Sequence, residues 1–454
     1  MCVNRGRRRF LKTISTAALA APYFVPSTVF GADAPGNSIN IGCIGTGFQW
    51  AIDASAFLAI DDVRIVAVCD VDRSRCELAK QVVEDSYAKS SPTGKYTGVD
   101  MYHDFRDLIS RSDIDAVAIA TPDHWHALIA IAASNADKDI YCQKPLTHNI
   151  GEGRMLSDTV RRNGTVFQTG SQQRSMPNFL FACELVRNGR IGELRTVEVG
   201  LGGPGGNNVP PLKMPAPEGF DYSSWLGPAP WAEYTEKRCH YNFRNISDYA
   251  YGLVTDWGAH HCDTAQWGMG TDHTGPVRVE GSAVYYTDGL YDTPKSFSYT
   301  CTYKNGVTLH IADGSRLKLG IKFIGSTGWV FITRGMEGIG EISAEPESIL
   351  SSLIGPDEIK LYRHKTSRNR IPWKPGNIHN TIMHYINFID CIRTRQETAA
   401  PVEVAHRSAS LCHLGRIAME LGRPLRWDPD KERFINDPEA DRMLTRSMRS
   451  PWHM

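Results

Sequence analysis

The chain contains 454 residues, of which 41% are hydrophobic and 22% are charged, proportions that are typical of a globular protein. Its 50 Lys and Arg residues balance its 50 Asp and Glu residues, so the formal net charge is zero and no basic excess indicates a nucleic-acid-binding protein. The length predicts two domains, and the lack of a run of about 18 apolar residues argues against a permanent membrane span.

The first residues carry the pattern of an export signal. Residues 7–12 (RRRFLK) are basic and lead into an Ala-rich apolar run at 14–21, and residues 32–34 (ADA) offer a small-residue cleavage site. Two arginines, a spacer and then Phe-Leu-Lys are typical of a twin-arginine signal. We therefore predict a signal at 1–34, the twin-arginine export machinery as a partner, and a periplasmic or otherwise exported location. A basic tail followed by an ordinary amphipathic helix is the alternative.

Residues 38–170 alternate short apolar runs with segments of helical spacing. The predicted strands are 38–47, 63–69, 114–120, 140–142 and 166–168, and the predicted helices are 51–60, 76–83, 123–136 and 149–163. Strands and helices that alternate in this way form right-handed β-α-β units and a parallel sheet. We therefore predict an α/β Rossmann-type domain with a mostly parallel sheet over residues 38–170.

The pattern changes in residues 171–454. Apolar runs separated by short turns predict strands with little helix between them, at 194–201, 277–286, 296–303, 306–312, 319–325 and 328–333. Helical spacing returns at 378–394 and 403–421. These features predict an α+β domain with a large, mainly antiparallel open sheet and C-terminal helices. A Pro- and Gly-rich insertion at 202–230 is too long for a passive connection and is predicted to pack as a rim or lid.

Eleven cysteines are scattered along the chain, and Cys2 falls within the predicted signal. The other ten include no C-x-x-C pair, and Cys43 and Cys69 lie in predicted core strands. This distribution favours buried free thiols over a disulfide framework or a metal site, and we predict no bound metal.

A Gly-rich loop follows the first predicted strand and precedes the first predicted helix. Such a turn lets the backbone approach a pyrophosphate, and the helix N-terminus supplies unpaired N–H groups. The candidate cofactor-binding residues of this loop are Gly45, Thr46, Gly47, Phe48 and Gln49. Trp50 occupies the position at which the G-x-G-x-x-G fingerprint has its third glycine. A tight strand–helix turn without a ligand is the alternative.

Asp70 ends the second predicted strand, 25 residues after Gly45, where a ribose-binding carboxylate belongs. A carboxylate at this point repels a 2′-phosphate, so it favours NAD over NADP. Arg73 lies nearby and is also a candidate cofactor-binding residue, which leaves NADP open.

Two further polar segments follow the third and fourth predicted strands. Residues 121–126 (TPDHWH) offer four candidate cofactor-binding side chains, Thr121, Pro122, His124 and His126. Helix capping by Thr121 or Asp123 is the alternative for this segment. The other segment is 143–145 (QKP), in which Gln143 and Lys144 are candidate cofactor-binding residues. An ammonium group there could hydrogen-bond a substrate hydroxyl and stabilise a developing alkoxide.

A fourth segment, residues 256–263 (DWGAHHCD), combines carboxylates with imidazoles. On a helix Asp256 and His260 share one face, and a carboxylate beside an imidazole makes a general base near neutral pH. A metal site formed with His261 and Asp263 is an alternative, although adjacent histidines on a helix point about 100° apart. A structural histidine pair in the core is another.

Together the four segments resemble the glucose–fructose oxidoreductase, inositol dehydrogenase and MocA (Gfo/Idh/MocA) family over 39–452, and 387–393 (NFIDCIR) resembles its exported bacterial branch. The resemblance implies nucleotide binding at Gly45 and Gly47, and a catalytic lysine at Lys144. It also implies that Asp256 and His260 form an acid/base pair. The family pattern has glutamate where this chain has Gln143, so the charge partner of the lysine is expected to be weaker. The resemblance further implies a homo-oligomer built through the open sheet.

We therefore predict an NAD(P)-dependent oxidoreductase that transfers hydride between the nicotinamide and a secondary hydroxyl of a sugar, polyol or inositol. In this hypothesis His260, oriented by Asp256, takes the hydroxyl proton and Lys144 steadies the same oxygen. The candidate substrate-binding residues are Arg174, His240, Arg244, Tyr249 and His261. Two alternatives are open: an exported enzyme with tightly bound cofactor, acting as a sugar–sugar oxidoreductase or redox-assisted glycosidase, and a non-catalytic sensor.

Overall fold

The computed structural model describes residues 38–203, 208–210, 212–334, 341–361 and 379–454. The predicted export signal at 1–34 and part of the predicted insertion at 202–230 lie outside the described residues. Within the described part of the chain, no helix combines the length and the apolar composition that crossing a bilayer requires.

The first sheet consists of six parallel strands in the spatial order β3-β2-β1-β4-β5-β6. These strands are β1 (Ile39–Ile44), β2 (Val63–Cys69), β3 (Asp100–Tyr102), β4 (Ala116–Ile119), β5 (Asp139–Cys142) and β6 (Phe167–Thr169). The helices that connect them are α1 (Phe48–Leu58), α2 (Arg73–Ala88), α3 (Phe105–Ile109), α4 (Asp123–Asn135) and α5 (Ile150–Asn163). The predicted Rossmann-type fold is confirmed.

The order of the strands reverses between β1 and β4, which are neighbours in the sheet. Loops that leave such a pair in opposite directions open a crevice at the carboxyl ends of the strands. The polar segments that end β1, β2, β4 and β5 therefore meet at one edge of the sheet.

The second sheet has nine strands in the order β13-β12-β11-β7-β10-β9-β8-β14-β15. They are β7 (Leu194–Gly200), β8 (Arg278–Tyr285), β9 (Pro294–Thr302), β10 (Thr308–Ala312), β11 (Gly320–Gly325), β12 (Trp329–Thr333), β13 (Glu341–Glu345), β14 (Leu425–Asp428) and β15 (Arg433–Phe434). β7 and β10 pair in parallel, and the other pairs are antiparallel. The predicted mainly antiparallel sheet is confirmed. The short β3 and the edge strands β13, β14 and β15 were not predicted, because backbone pairing rather than an apolar pattern defines them.

Further α-helices follow the Rossmann domain, and three of them cover one face of the second sheet. They are α6 (Pro177–Arg187), α7 (Tyr222–Leu226), α8 (Leu253–Asp256), α9 (Gly258–Met269), α10 (His379–Thr394), α11 (Val402–Leu421) and α12 (Pro438–Arg442) in chain order, of which α6, α9 and α11 pack on the sheet. Burial along β9 alternates, so its other face is more exposed. Helix α10 instead joins the Rossmann core, where Tyr385 and Phe388 pack against Phe57 and Tyr141. The ten described cysteines are buried and unpaired, as predicted.

Candidate active site

The Gly-rich turn after β1 is shaped by backbone conformation. Gly45 has φ +83°, and a Cβ atom there would lie 2.8 Å from the backbone of Ala120 and Thr121. Helix α1 has no side-chain cap at its N-terminus and no acidic residue in its first turn. Gly45, Gly47, Phe48 and Gln49 line a cavity at this point. Free N–H groups beside an open glycine turn suit the pyrophosphate of a dinucleotide.

Replacing Gly45 by alanine should prevent tight cofactor binding, because the added methyl group would push the turn that carries Thr121 out of place. We expect a loss of about 1–3 kcal/mol in the free energy of unfolding and at least a tenfold rise in the Kd for NADH. Urea unfolding and fluorescence titration measure the two effects. Gly94→Ala is the matched control, because Gly94 has φ +65° but no atom within 4 Å of the added Cβ. Unchanged NADH affinity in Gly45→Ala would contradict this assignment.

Asp70 lies in the wall of the same cavity, at the end of β2. The main-chain N–H and the hydroxyl of Thr46 donate to Asp70 Oδ2, at 2.7 and 2.9 Å. Thr46 therefore fixes the carboxylate that was predicted to bind the ribose. Arg73 was also predicted to bind the cofactor, but it does not line this cavity, and its exposed side chain pairs with Glu77 at 2.8 Å. Arg75 is the arginine that lines the cavity beside Asp70.

Some side chains of the segment after β4 line the cavity, and others lie in the protein interior. Thr121 and Pro122 line the cavity as predicted, and the buried Thr121 hydroxyl has no hydrogen-bond partner among the described residues, which leaves it free for a ligand. His124 and His126 are buried behind the segment, contrary to the prediction. His126 lies 2.7 Å from the carbonyl oxygen of Pro145 and 2.8 Å from that of Thr121, so it links the two loops that form the site.

Lys144 and Asp256 form an ion pair where the two domains meet. Lys144 Nζ donates to Asp256 Oδ1 at 2.5 Å and to the Asp256 main-chain oxygen at 3.2 Å. Arg244 Nε lies 3.8 Å from the same carboxylate. Burial opposes ionisation of Asp256, but the two cations outweigh it and hold the pKa of Asp256 below its usual value. Lys144, Asp256 and Arg244 line both the cofactor cavity and a second, adjoining cavity.

His260 lines this second cavity, in the first turn of α9. The predicted bond from Asp256 to His260 is absent, because the carboxylate binds the charged Lys144 rather than an uncharged imidazole. His260 Nδ1 is buried without a hydrogen-bond partner in the described part of the chain. Burial lowers the pKa of His260 well below its usual value, and Lys144 and Arg334 lower it further. His260 is therefore a neutral imidazole that can accept a proton.

Gln143 contributes to both cavities, and its amide is held by a carboxylate. Gln143 Nε2 donates to both oxygens of Asp53, at 2.8 and 2.9 Å, and Tyr385 and Gln49 donate to the same group. Burial raises the pKa of Asp53 to about 6, against these hydrogen bonds. Asp53 thus anchors the residue that precedes Lys144.

The five residues predicted to bind substrate separate into three groups. Arg244 lies at the site, beside Asp256. His240 also lines the cofactor cavity, but at its other end, 3.9 Å from Asp72. Tyr249 and His261 are buried away from both cavities, where Tyr249 packs on Trp225 and His261 Nδ1 lies 3.0 Å from the Gly200 carbonyl oxygen. The predictions for these two are wrong.

Arg174 was also predicted to bind substrate, and it is a buried structural residue instead. Its guanidinium binds Asp263 at 2.7 and 2.9 Å and Asp272 at 2.5 Å, beneath α9. Arg174→Met should lower the free energy of unfolding by about 3–5 kcal/mol, because two carboxylates lose their cation. Arg278→Met, which breaks an exposed pair with Glu280, should cost less than about 1 kcal/mol. Thermal unfolding measures both, and a large rise in KM at unchanged stability would restore a substrate-binding role for Arg174.

Sequence reasoning missed two charged residues at the site. Asp123 was considered as a helix cap, yet it is buried in the wall of the cofactor cavity. Burial and, to a smaller extent, Asp256 raise the pKa of Asp123 to about 7, against the opposing influence of Arg244 and Lys144. Arg334 follows β12 and lines the second cavity. No motif surrounds Arg334, so the fold alone brings it to the site.

Two family models match the chain. The model described as an oxidoreductase family with an NAD-binding Rossmann fold matches residues 39–171. The model described as the C-terminal alpha/beta domain of that family matches residues 204–358 and 351–454.

The chain is similar to several named proteins. It is 26% identical over 279 residues to the uncharacterised oxidoreductase YrbE of Bacillus subtilis (strain 168), covering 61% of this chain and 66% of that protein. It is 31% identical over 217 residues to a glycosyl hydrolase family 109 protein of Shewanella sp. (strain W3-18-1), covering 42% of this chain and 44% of that protein. The match thus spans less than two thirds of either relative.

Two solved structures share the fold. The aldose–aldose oxidoreductase from Caulobacter crescentus has a TM-score of 0.61 at 17% identity, and a levoglucosan dehydrogenase in complex with NADH and levoglucosan has a TM-score of 0.61 at 16% identity. Each alignment covers 86% of this chain and 99% of the other. The two family models together extend over most of residues 39–454. The chain therefore belongs to the Gfo/Idh/MocA family of NAD(P)-dependent oxidoreductases, with an NAD-binding Rossmann domain followed by the C-terminal alpha/beta domain of that family.

Proposed function

We propose that the protein transfers hydride between NAD and a secondary hydroxyl of a sugar, polyol or inositol. The observation that carries the proposal is the Lys144–Asp256 ion pair, which lies between the glycine-lined cavity and the cavity that contains His260. Cofactor and substrate would then meet at Lys144. The names of the levoglucosan dehydrogenase and the aldose–aldose oxidoreductase support a carbohydrate substrate.

Each residue of the site has a distinct task in this proposal. When bound, NAD supplies a nicotinamide ring that accepts a hydride from the substrate carbon. His260 accepts the hydroxyl proton as a neutral imidazole, because burial holds its pKa well below the usual value. Lys144 donates a hydrogen bond to the substrate oxygen as negative charge develops there. Asp256 positions Lys144, and the substrate leaves as a ketone.

Turnover tests the proposal directly. Purified protein is mixed with NAD and a panel of neutral and acidic sugars, polyols and inositols, and NADH is followed by absorbance at about 340 nm. The same samples are analysed by mass spectrometry for a product that has lost two hydrogen atoms. NADH formed together with the ketone supports the proposal. A protein that binds NADH but oxidises no member of the panel and reduces none of the corresponding ketones would contradict it.

A second candidate is an enzyme that keeps its NAD bound. It would act as a sugar–sugar oxidoreductase, or oxidise a sugar carbon transiently so that a glycosidic substituent is eliminated. The similarity to glycosyl hydrolase family 109 proteins, at 29–32% identity, favours this candidate. Release of a nitrophenol from nitrophenyl glycosides without accumulation of NADH would support it. Stoichiometric NADH, with no release of the aglycone, would exclude it for those substrates.

Asp123 should make the affinity for NAD⁺ relative to NADH depend on pH. Its carboxyl group, with a raised pKa of about 7, faces Asp256, Arg244, Lys144 and the buried Cys142. Above pH 7 the ionised carboxylate adds negative charge to the cavity and favours the cationic ring of NAD⁺. We expect NAD⁺ affinity relative to NADH to rise roughly fivefold between pH 6 and pH 8, about 1 kcal/mol. In fluorescence titrations, Asp123→Asn should abolish this pH dependence of NAD⁺ affinity. If the variant keeps the pH dependence, a different titratable group causes it.

Export through the twin-arginine pathway is a separate proposal, supported by residues 7–12 (RRRFLK) and the apolar run that follows. The full chain expressed in a bacterium should accumulate in the periplasm. Replacing Arg7 and Arg8 by lysine should retain it in the cytoplasm, as should deletion of the twin-arginine translocase. Periplasmic protein in either case would contradict the proposal.

The expected homo-oligomer is tested by light scattering of the purified protein.

A further inference from the structure

The second cavity contains more positive charge than the described residues neutralise. Its charged side chains are Lys144, Arg244, Arg334 and Asp256. His260 in the same wall is uncharged, as its lowered pKa implies. Lys144 and Arg244 share the single carboxylate of Asp256, at 2.5 and 3.8 Å. Three cations thus face one anion in the space that the proposed function assigns to the substrate.

Arg334 differs from Arg174 and Arg154, two other enclosed arginines of the described chain. Arg174 is bound by Asp263 and Asp272, and Arg154 is bound by Glu403 and Glu432. Among the residues that the structure describes, no carboxylate lies within ion-pair distance of Arg334. Burial also lowers the pKa of Arg334, against the weak influence of Tyr385. An enclosed guanidinium without an anionic partner is unfavourable, so this arrangement indicates that the partner comes from a ligand.

The pyrophosphate of the cofactor does not account for Arg334. The glycine turn at Gly45 and Gly47 provides an anion site in the other cavity, although Phe48 and Gln49 at the N-terminus of α1 line both cavities. Arg334 does not line that cavity, and its own cavity contains neither Gly45 nor Asp70. The Lys144–Asp256 pair lies between the two. Arg334 therefore faces the space beyond the pair, on the side of His260.

We propose that the substrate is an anionic sugar, and that Arg334 binds its carboxylate or phosphate oxygens while Lys144 and His260 act on a hydroxyl of the same molecule. This inference rests on the proposed function for the reaction and adds the substrate class. The planar guanidinium forms two parallel, charge-assisted hydrogen bonds to such an oxyanion, whereas a neutral sugar offers hydroxyl oxygens but no charge to balance the guanidinium. Specificity for acidic over neutral sugars then follows from one charged contact.

Matched pairs of acidic and neutral ligands distinguish the contribution of the anionic group to affinity from that of the sugar ring. Glucuronate, galacturonate, gluconate and glucose 6-phosphate are titrated into the NADH-saturated protein by calorimetry, beside glucose, galactose and glucitol. We expect at least one acid to bind ten or more times more tightly than its neutral counterpart. The uronates and the phosphate ester distinguish a carboxylate from a phosphate as the preferred oxyanion. The same ligands are assayed for turnover with NAD.

Variants of Arg334 test the assigned contact. Arg334→Met should weaken binding of the preferred acid about 10- to 150-fold, the loss of a hydrogen bond to a charged group, and leave its neutral counterpart unchanged. Arg334→Lys should recover part of the preference and serves as the second variant if the first folds poorly. Arg64→Met, an exposed arginine at the opposite end of β2, is the control and should bind every ligand as the parent does.

The outcomes separate this inference from the proposed function. A preference for acids that depends on Arg334, without turnover of any sugar, would support the anion site and contradict the hydride transfer. Turnover of neutral sugars with no acid bound more tightly would support the proposed function and overturn the anion site. An equal loss of affinity for acidic and neutral ligands in both Arg334→Met and Arg334→Lys would also overturn the anion site.

Discussion

Replacing Lys144 by methionine should lower kcat/KM about 10²- to 10³-fold, the loss that follows removal of one preorganised donor to a developing oxyanion. The side chain binds Asp256 in the absence of substrate and lies where both cavities meet. Its contribution is made in the transition state, so kcat should carry most of the loss. Steady-state kinetics on the best substrate of the panel measures it. The Kd for NADH should change less than threefold, since the glycine turn and Asp70 are intact.

The difficulty with Lys144→Met is that it leaves Asp256 without its nearest cation. Arg244, at 3.8 Å, would then be its remaining partner. A double variant, Lys144→Met with Asp256→Asn, removes both charges and should regain much of any lost stability. It should not regain activity. Recovery of activity in the double variant would mean that Lys144 serves to neutralise Asp256 and makes no contact with the reacting oxygen.

The sequence predicted the positions that strand order brings together. Gly45, Asp70, Thr121 and Lys144 each follow an apolar strand, and the carboxyl ends of parallel strands meet at one edge of the sheet. Their proximity therefore follows from the fold class. The apolar runs that define β1, β2, β4 and β5 are short and wholly or mainly buried, which made the strands visible in the sequence.

The errors concern the direction of side chains on helices. Arg73 and Arg75 are two residues apart on α2 and so point about 200° apart, which places one in solvent and the other in the cavity. The side chains of His260 and His261, which are adjacent on α9, also point in different directions, about 100° apart. Composition and spacing do not say which side of a polar helix faces a ligand. Arg174 illustrates a related limit. An arginine can belong to a buried ion pair or to a ligand site, and the sequence alone does not distinguish the two.

Arg334 could not have been found from local sequence. It follows a strand of the second sheet, and its neighbours in space come from α8, α9 and the Rossmann loops. Contacts of this kind depend on how two domains pack, and no motif encodes them. The Asp53–Gln143 hydrogen bonds are a similar case, because a carboxylate 90 residues away holds the amide of the residue that precedes Lys144.

Replacing His260 by alanine should lower kcat about 10²- to 10⁴-fold, the usual contribution of a general base. In the unmodified protein the pKa of His260 is held well below its usual value by burial and by Lys144 and Arg334. The base is the deprotonated form, so activity should be lost as the pH falls through that lowered pKa, and ionisation of His260 should not affect the rate above pH 6.5. Exogenous imidazole should restore part of the rate.

The pH profile distinguishes a base from a structural residue at this position. In His260→Ala, log kcat should rise with a slope of about one as the pH increases, because hydroxide replaces the missing base. His273→Ala, at an exposed position four residues beyond α9, is the control and should keep the parent profile. A variant with reduced kcat, a flat profile and no response to imidazole would remove His260 from proton transfer. Since the pKa of Asp123 in the same site is raised to about 7, that result would make its carboxylate the next candidate for the base.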